Sequence, residues 1–167
     1  MIKNPNISII IPALNRKKYL LKTIEYLNDQ NFDNFEIIIV DQSDGKHRVR
    51  KKDLENFGDF KEKIKTIYLK EKNLPDARNI GAQKATGEIL LFIDDDVVIK
   101  NRNFIENHLR HYKNPEIFAV AGRLVQPWAK INGEKKQPEE FTNLLLIAKG
   151  ALNSKIKKLI RNKSTRW

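Results

Sequence analysis

Three apolar runs of strand length, each too continuous for a sheet with one wet face, constrain this chain more than any other feature. They are "ISIIIPA" (Ile7 to Ala13), "FEIIIVD" (Phe35 to Asp41) and "GEILLFID" (Gly87 to Asp94). Runs of this kind, rich in β-branched residues, belong to strands covered on both faces, as in a parallel sheet. A fourth, "KIKTIYL" (Lys63 to Leu69), alternates more and is predicted nearer an edge. Helical stretches stand between them. Tyr19 to Gln30 puts Leu20, Ile24 and Leu27 on one face, and Asp76 to Thr86 gathers Ala77, Ile80, Gly81 and Ala85. Arg48 to Phe57 and Arg102 to Tyr112 fit the same role. Strand and helix thus alternate through residue 125 or so, which predicts an α/β fold with a mainly parallel, Rossmann-like sheet flanked by helices.

The rest of the chain reads differently. "IFAVAGRLVQPW" can hold one more strand, "AKINGEKKQPEE" is a polar connection with a turn at Asn132-Gly133, and "FTNLLLIAKGALNSKIKKLI" is predicted to be a basic helical tail interrupted at Gly150. The division expected is a domain over residues 1–130 and a connection plus tail over 131–167. At 167 residues the chain can bury a real core. No apolar run approaches the roughly 20 residues needed to cross a bilayer. "MIKNPNISIIIP" lacks the length and cleavage site of a secretory signal, so a cytoplasmic chain is expected. The absence of cysteine excludes disulfides, thiolate zinc sites and a cysteine nucleophile.

The formal charge of +11 is unevenly spread. Lys149, Lys155, Lys157, Lys158, Arg161, Lys163 and Arg166 all fall after Phe141, where there is no acid. Such a tail suits an anionic membrane face, a phosphate-bearing substrate or nucleic acid, and equally an ordinary solvated helix in a Lys-rich chain. Nucleic acid is disfavoured, because Asp41 and the triplet Asp94 to Asp96, at the ends of predicted strands, repel phosphate unless a metal intervenes.

Those acids are the candidate chemistry. In open α/β sheets ligands bind beyond the carboxyl ends of the strands, and Asp41 and Asp94 to Asp96 end two of them. Continued extension through the triplet would project Asp94 and Asp96 to one side, about 7 Å apart, and Asp95 to the other. No base adjoins them in sequence. A hard divalent cation, Mg²⁺ or Mn²⁺, held by one or two carboxylates and completed by diphosphate oxygens, would compensate the charge. The plainer reading is that Asp95 or Asp96 caps a following helix.

"SIIIPALNR", "EIIIVDQSDG" and "NLPDARNIGAQKATGEILLFIDDD", in this order and at these intervals, resemble the inverting nucleotide-sugar glycosyltransferases of family 2. The resemblance covers roughly Ile7 to Val125 and is most specific in the third segment. It implies a GT-A-like fold and transfer of a sugar from a nucleotide-sugar, a UDP-sugar first, to a glycan or lipid-linked acceptor in surface polysaccharide or glycan synthesis. It further implies that Pro12, Ala13 and Asn15 line the nucleotide pocket, that Asp41 accepts a hydrogen bond from the base, and that Arg78 lies near the nucleotide or diphosphate. Asp94, near the ribose, and Asp95 fall on the nucleotide-sugar side, and Asp96 on a Mn²⁺ or Mg²⁺ ion. The plainer alternatives are a turn cap for Asp41, a strand end at Pro12 and a solvated helix cation at Arg78.

The sequence departs from the family pattern at Leu14, often aromatic, and at Gln42, frequently a second Asp. The family's downstream acceptor-side motif is not found, so a shortened acceptor half is expected and the catalytic base is unassigned. Glu134, Glu139 and Glu140 match no family motif. A donor-binding fragment without its own base, or a non-catalytic nucleotide- or nucleic-acid-binding module, is the alternative. A nucleotidyltransferase would want a Gly-rich loop after the first strand, and "IPALNRKKY" has no glycine.

Overall fold

The computed structural model describes residues 6–122 and the backbone of 147–149. In chain order the elements are β1 (Ile7–Ala13), α1 (Lys17–Asn28), β2 (Phe35–Asp41), α2 (Lys51–Leu54) with a 3-10 continuation (Glu55–Lys63), β3 (Ile64–Tyr68), α3 (Leu74–Lys84), β4 (Ile89–Phe92), α4 (Phe104–His111), β5 (Ala119–Val120) and β6 (Ile147–Lys149). They build one sheet of order β3-β2-β1-β4-β6-β5. The first four strands in that order are parallel, while β6 runs antiparallel to both β4 and β5.

The continuous apolar runs are the parallel strands, and the reason is visible in their burial. Every residue of β1 and β2 is buried. Ile7, Ile9, Ile11, Ile37 and Ile39 face a core shared with Leu20, Ile24 and Leu27 of α1. Ile10, Ile38, Val40 and Leu90 face the other way, onto Ala77 and Ala82 of α3 and the following Ala85. Period-two side chains therefore serve two helical layers at once. β3 mixes exposed and half-buried residues and lies at the edge, as its alternation predicts. Within the stretch expected to be a helical tail, Ile147–Lys149 form a strand instead, paired with the β4 edge. A free edge on an apolar strand is a strong template for pairing. The rest of the tail and the polar connection lie outside the described residues.

Two close fits fix the layers. A Cβ on Gly81 would overlap Ile10 Cγ2 and stand 3.2 Å from Val40 Cγ2, so α3 lies against the sheet at a distance that only glycine allows. At the amino edge Glu36, 4% exposed, accepts from Ser8 Oγ (2.6 Å), Thr86 N and Oγ1 (both 2.7 Å) and Lys65 Nζ (2.7 Å). Gly87 N in turn donates to Ser8 Oγ at 2.8 Å. Burial alone would raise the Glu36 pKa, but the hydrogen bonds from Lys65, Ser8 and Thr86 outweigh it and hold it at about 2.

Gly81→Ala should lower stability by about 1–2 kcal/mol, overpacking exceeding the helix-propensity gain; urea unfolding at unchanged m-value would show it. Glu36→Gln should cost on the order of 3 kcal/mol at neutral pH. Because the folded pKa is depressed, that stabilisation is complete above about pH 4.5 and is lost as pH falls towards 2. Unfolding free energies of wild type and E36Q should therefore converge through that window.

Candidate functional site at the carboxyl edge

The chain runs from β1 outward to β2 and β3, then crosses back to β4 on the other side of β1. The loops leaving β1 and β4 consequently part at a crevice, where ligands of open α/β sheets bind. Four segments meet there, and each is placed by identifiable contacts.

Pro12 and Ala13 are buried in β1 opposite Val40 and Asp41. Asn15 then turns left-handed (φ 57°), a conformation Asn tolerates. Its N–H donates to Ser43 Oγ at 2.8 Å, and its Oδ1 accepts from Asp44 N at 3.1 Å. Gln42 Nε2 donates to the carbonyls of Glu71 (2.6 Å) and Asn73 (3.1 Å), and Lys72 pairs with Asp44. The loops after β1, β2 and β3 are thereby laced into one unit.

Asp41 is the knot beneath them. It is fully buried, its Oδ1 accepting from Ser43 N and its Oδ2 from Val49 N, both at 2.8 Å. Tyr68 Oη donates to Val49 O at 2.6 Å, and the Arg48 guanidinium lies 4.9 Å over the Tyr68 ring while donating to Ser43 O. Both Asp41 oxygens are thus engaged by the loop that follows β2, and neither is exposed.

The triplet does not continue as a strand. β4 ends at Phe92, and Asp95 and Asp96 form a turn. The alternation survives in exposure, with Asp94 and Asp96 outward and Asp95 only 6% exposed. The buried Thr23 of α1 holds this turn through its Oγ1, 3.0 Å from Asp95 O and 3.2 Å from Val97 O. Since α4 begins only at Phe104, the triplet caps no helix. Burial pushes the Asp95 carboxyl up to about 6; Arg16 opposes this, while Asp96 and Asp94 add to it.

The charge compensation missing from the local sequence comes from two distant arginines. Arg16 Nη1 lies 2.6 Å from Asp96 Oδ2 and 3.7 Å from Asp95 Oδ1. Arg78, from α3, reaches Asp94 Oδ1 with Nη2 at 2.9 Å. Arg78 is therefore not a free solvated cation, and among the described residues its Nε is the buried side-chain polar atom without an acceptor. Such an atom calls for an explanation. Arg16 ends the quoted "SIIIPALNR" yet sequence reasoning passed over it; a cation just past a central strand end, facing acids past the next strand, was the available signal.

The sequence that builds this sheet and its acidic turn matches a known family: Glycosyl transferase family 2 aligns with residues 8–165. The chain belongs to that family. The amylovoran biosynthesis glycosyltransferase AmsB of Erwinia amylovora is 33% identical over 98 residues, covering 57% of this chain and 32% of AmsB. S. aureus TarS 1-349 in complex with UDP-GlcNAc superposes with a TM-score of 0.64 at 20% identity, over 88% of this chain and 46% of that one. The mannosyltransferase PcManGT from Pyrobaculum calidifontis, in complex with GDP-Man and Mn²⁺, gives 0.62 at 18% identity, over 71% of this chain and 35% of that one. The chain spans less than half the length of each. These likenesses establish the GT-A-like fold expected from the three motifs. Among the described residues no helix is long and apolar enough to cross a membrane.

Asp41 and Asp94 should separate cleanly in a stability assay. Asp41→Asn leaves a buried amide where two N–H donors converge and should cost about 2–3 kcal/mol, whereas the exposed Asp94→Asn should stay within about 0.5 kcal/mol. Thermal unfolding of both variants checks this.

Proposed function

We propose that this family 2 domain binds a nucleotide-sugar, with a UDP-sugar foremost, and presents it for inverting transfer to the hydroxyl of a glycan or lipid-linked acceptor. The observation that carries this reading is the crevice between β1 and β4, where Arg16 and Arg78 meet the acidic turn at 2.6 and 2.9 Å. UDP-GlcNAc in TarS, and GDP-Man with Mn²⁺ in PcManGT, support it through the shared fold. AmsB, an amylovoran biosynthesis glycosyltransferase, supports polysaccharide synthesis as the destination.

In this reading Pro12 and Ala13 form the floor of the nucleotide pocket and Asn15 its wall. Asp41, which also holds the β2 loop, accepts a hydrogen bond from the base, and Asp94 and Asp95 stand on the ribose and sugar side. Arg78 offers its fork, including the unpartnered Nε, to diphosphate oxygens, which a guanidinium fits well. Among the described residues no three His, Cys, Asp or Glu side chains form a ready-made metal cage. That suits Mn²⁺ or Mg²⁺, which take one or two protein carboxylates and complete their shell with phosphate and water, and the outward Asp96 carboxylate is of the right hard-oxygen kind. Held by Asp96, the ion would supply Lewis-acid stabilisation of the charge on the departing diphosphate.

Transfer itself forms a bond from the acceptor oxygen to the anomeric carbon on the face opposite the diphosphate. The anomeric carbon–oxygen bond to diphosphate breaks with its electron pair, the configuration inverts, and the acceptor proton passes to a base. No residue is assigned that last role: Glu134, Glu139 and Glu140 lie outside the described residues. The seven bases after Phe141 would set the domain against an anionic membrane at its inner face, next to a lipid-linked acceptor.

Calorimetric titration of UDP, GDP and dTDP, with and without Mn²⁺, tests the donor site. One nucleotide should bind with metal, and Asp96→Ala should weaken that binding by at least about tenfold. Binding of no nucleotide would leave the family likeness as a fold alone.

A further inference from the structure

Arg16 stands where the proposed function has no task for it. Its backbone is fixed: its carbonyl accepts from Tyr19 N (2.9 Å) and Leu20 N (3.0 Å) at the start of α1, and the preceding Asn15 is tied to Ser43 and Asp44. Its side chain is 55% exposed, while its guanidinium sits 2.6 Å from Asp96, the carboxylate to which the metal is assigned. A guanidinium at that distance occupies a lone-pair direction of the oxygen and places a positive charge where a divalent cation must come. The adjacent cation, Lys17, is engaged with Asp53 at 3.2 Å and does not serve as a substitute.

We propose that Arg16 is a displaceable counterion of the metal site: it neutralises Asp96 until a divalent cation takes the carboxylate, and its released guanidinium then pairs with the diphosphate of the donor. The inference rests on the reading of Asp96 as metal ligand. A fixed backbone with a solvated side chain allows the exchange by rotamer change alone, without moving the sheet or α1. Charge favours the sequence of events. The turn carries three carboxylates against two guanidiniums; a divalent cation reverses that balance, repels Arg16 from Asp96, and brings in a phosphate group on which the fork can form two hydrogen bonds. Metal and donor would thus bind interdependently, each removing a cost that the other would face alone.

The experiment uses the full chain, MnCl₂ alone as first probe, and electron paramagnetic resonance of free Mn²⁺ to count binding. Arg16→Gln should tighten Mn²⁺ binding by roughly fivefold, the size expected of a removed exposed charge pair. In the presence of saturating Mn²⁺ the same variant should bind the preferred nucleoside diphosphate roughly tenfold more weakly. Arg16→Lys, which keeps the charge, should retain wild-type Mn²⁺ affinity. Unchanged or weaker Mn²⁺ binding by R16Q, or R16K behaving like R16Q, would overturn the counterion role while leaving Asp96 as ligand. Failure of wild type and R16Q alike to bind Mn²⁺, both alone and with the nucleoside diphosphates present, would overturn both the counterion role and the metal assignment.

Discussion

The complete burial of β1 is the constraint on which the rest depends. Seven consecutive residues hidden on both faces require neighbours on both sides and helices above and below, and that places β1 between β2 and β4 in the middle of the sheet. Once it is there, the chain leaving Ala13 has one way out, into the crevice opened by the change of strand order. Asn15 and Arg16 therefore reach the functional edge as a consequence of hydrophobic burial several residues earlier. The glycine-tight seat of α3 on Ile10 does the same for Arg78 from the opposite layer.

Most of the architecture was legible because it rests on local pattern. Continuous β-branched runs, helical periodicity and an alternating edge strand each map onto one physical environment, and β1, β2, β3, α1 and α3 stand where the pattern puts them. What was not legible depends on partners far away in sequence. Ile147–Lys149 read as helix because an isolated apolar stretch says nothing of the open β4 edge that captures its backbone. The early end of β4 at Phe92 is set by Thr23, seventy-two residues from Asp95, drawing the turn onto α1.

The site shows the same division. The acidic strand ends stood out in the sequence because acids follow apolar runs, while Asn15 and Arg78 were singled out only by the family resemblance. The pairing within the site was not legible. Charge complementarity between Arg16 and Asp96 joins residues eighty positions apart, and no window on the sequence brings them together. Asp41 illustrates a further limit: an acid at a strand end can face a ligand or its own loop, and only burial distinguishes the two. Here it accepts from Ser43 N and Val49 N and so shapes the loop that follows β2.

The short pair β5 and β6 completes the sheet beside β4. Val120 ends β5 opposite Ile147, where β6 begins, and Ile147 in turn stands beside Leu91 near the carboxyl end of β4. The two anchors stand side by side, near the acidic turn that follows β4. Closing a loop between neighbouring anchors grows costlier only with the logarithm of its length, by about 0.6 kcal/mol for each doubling. A change of length between these two anchors therefore costs the sheet little.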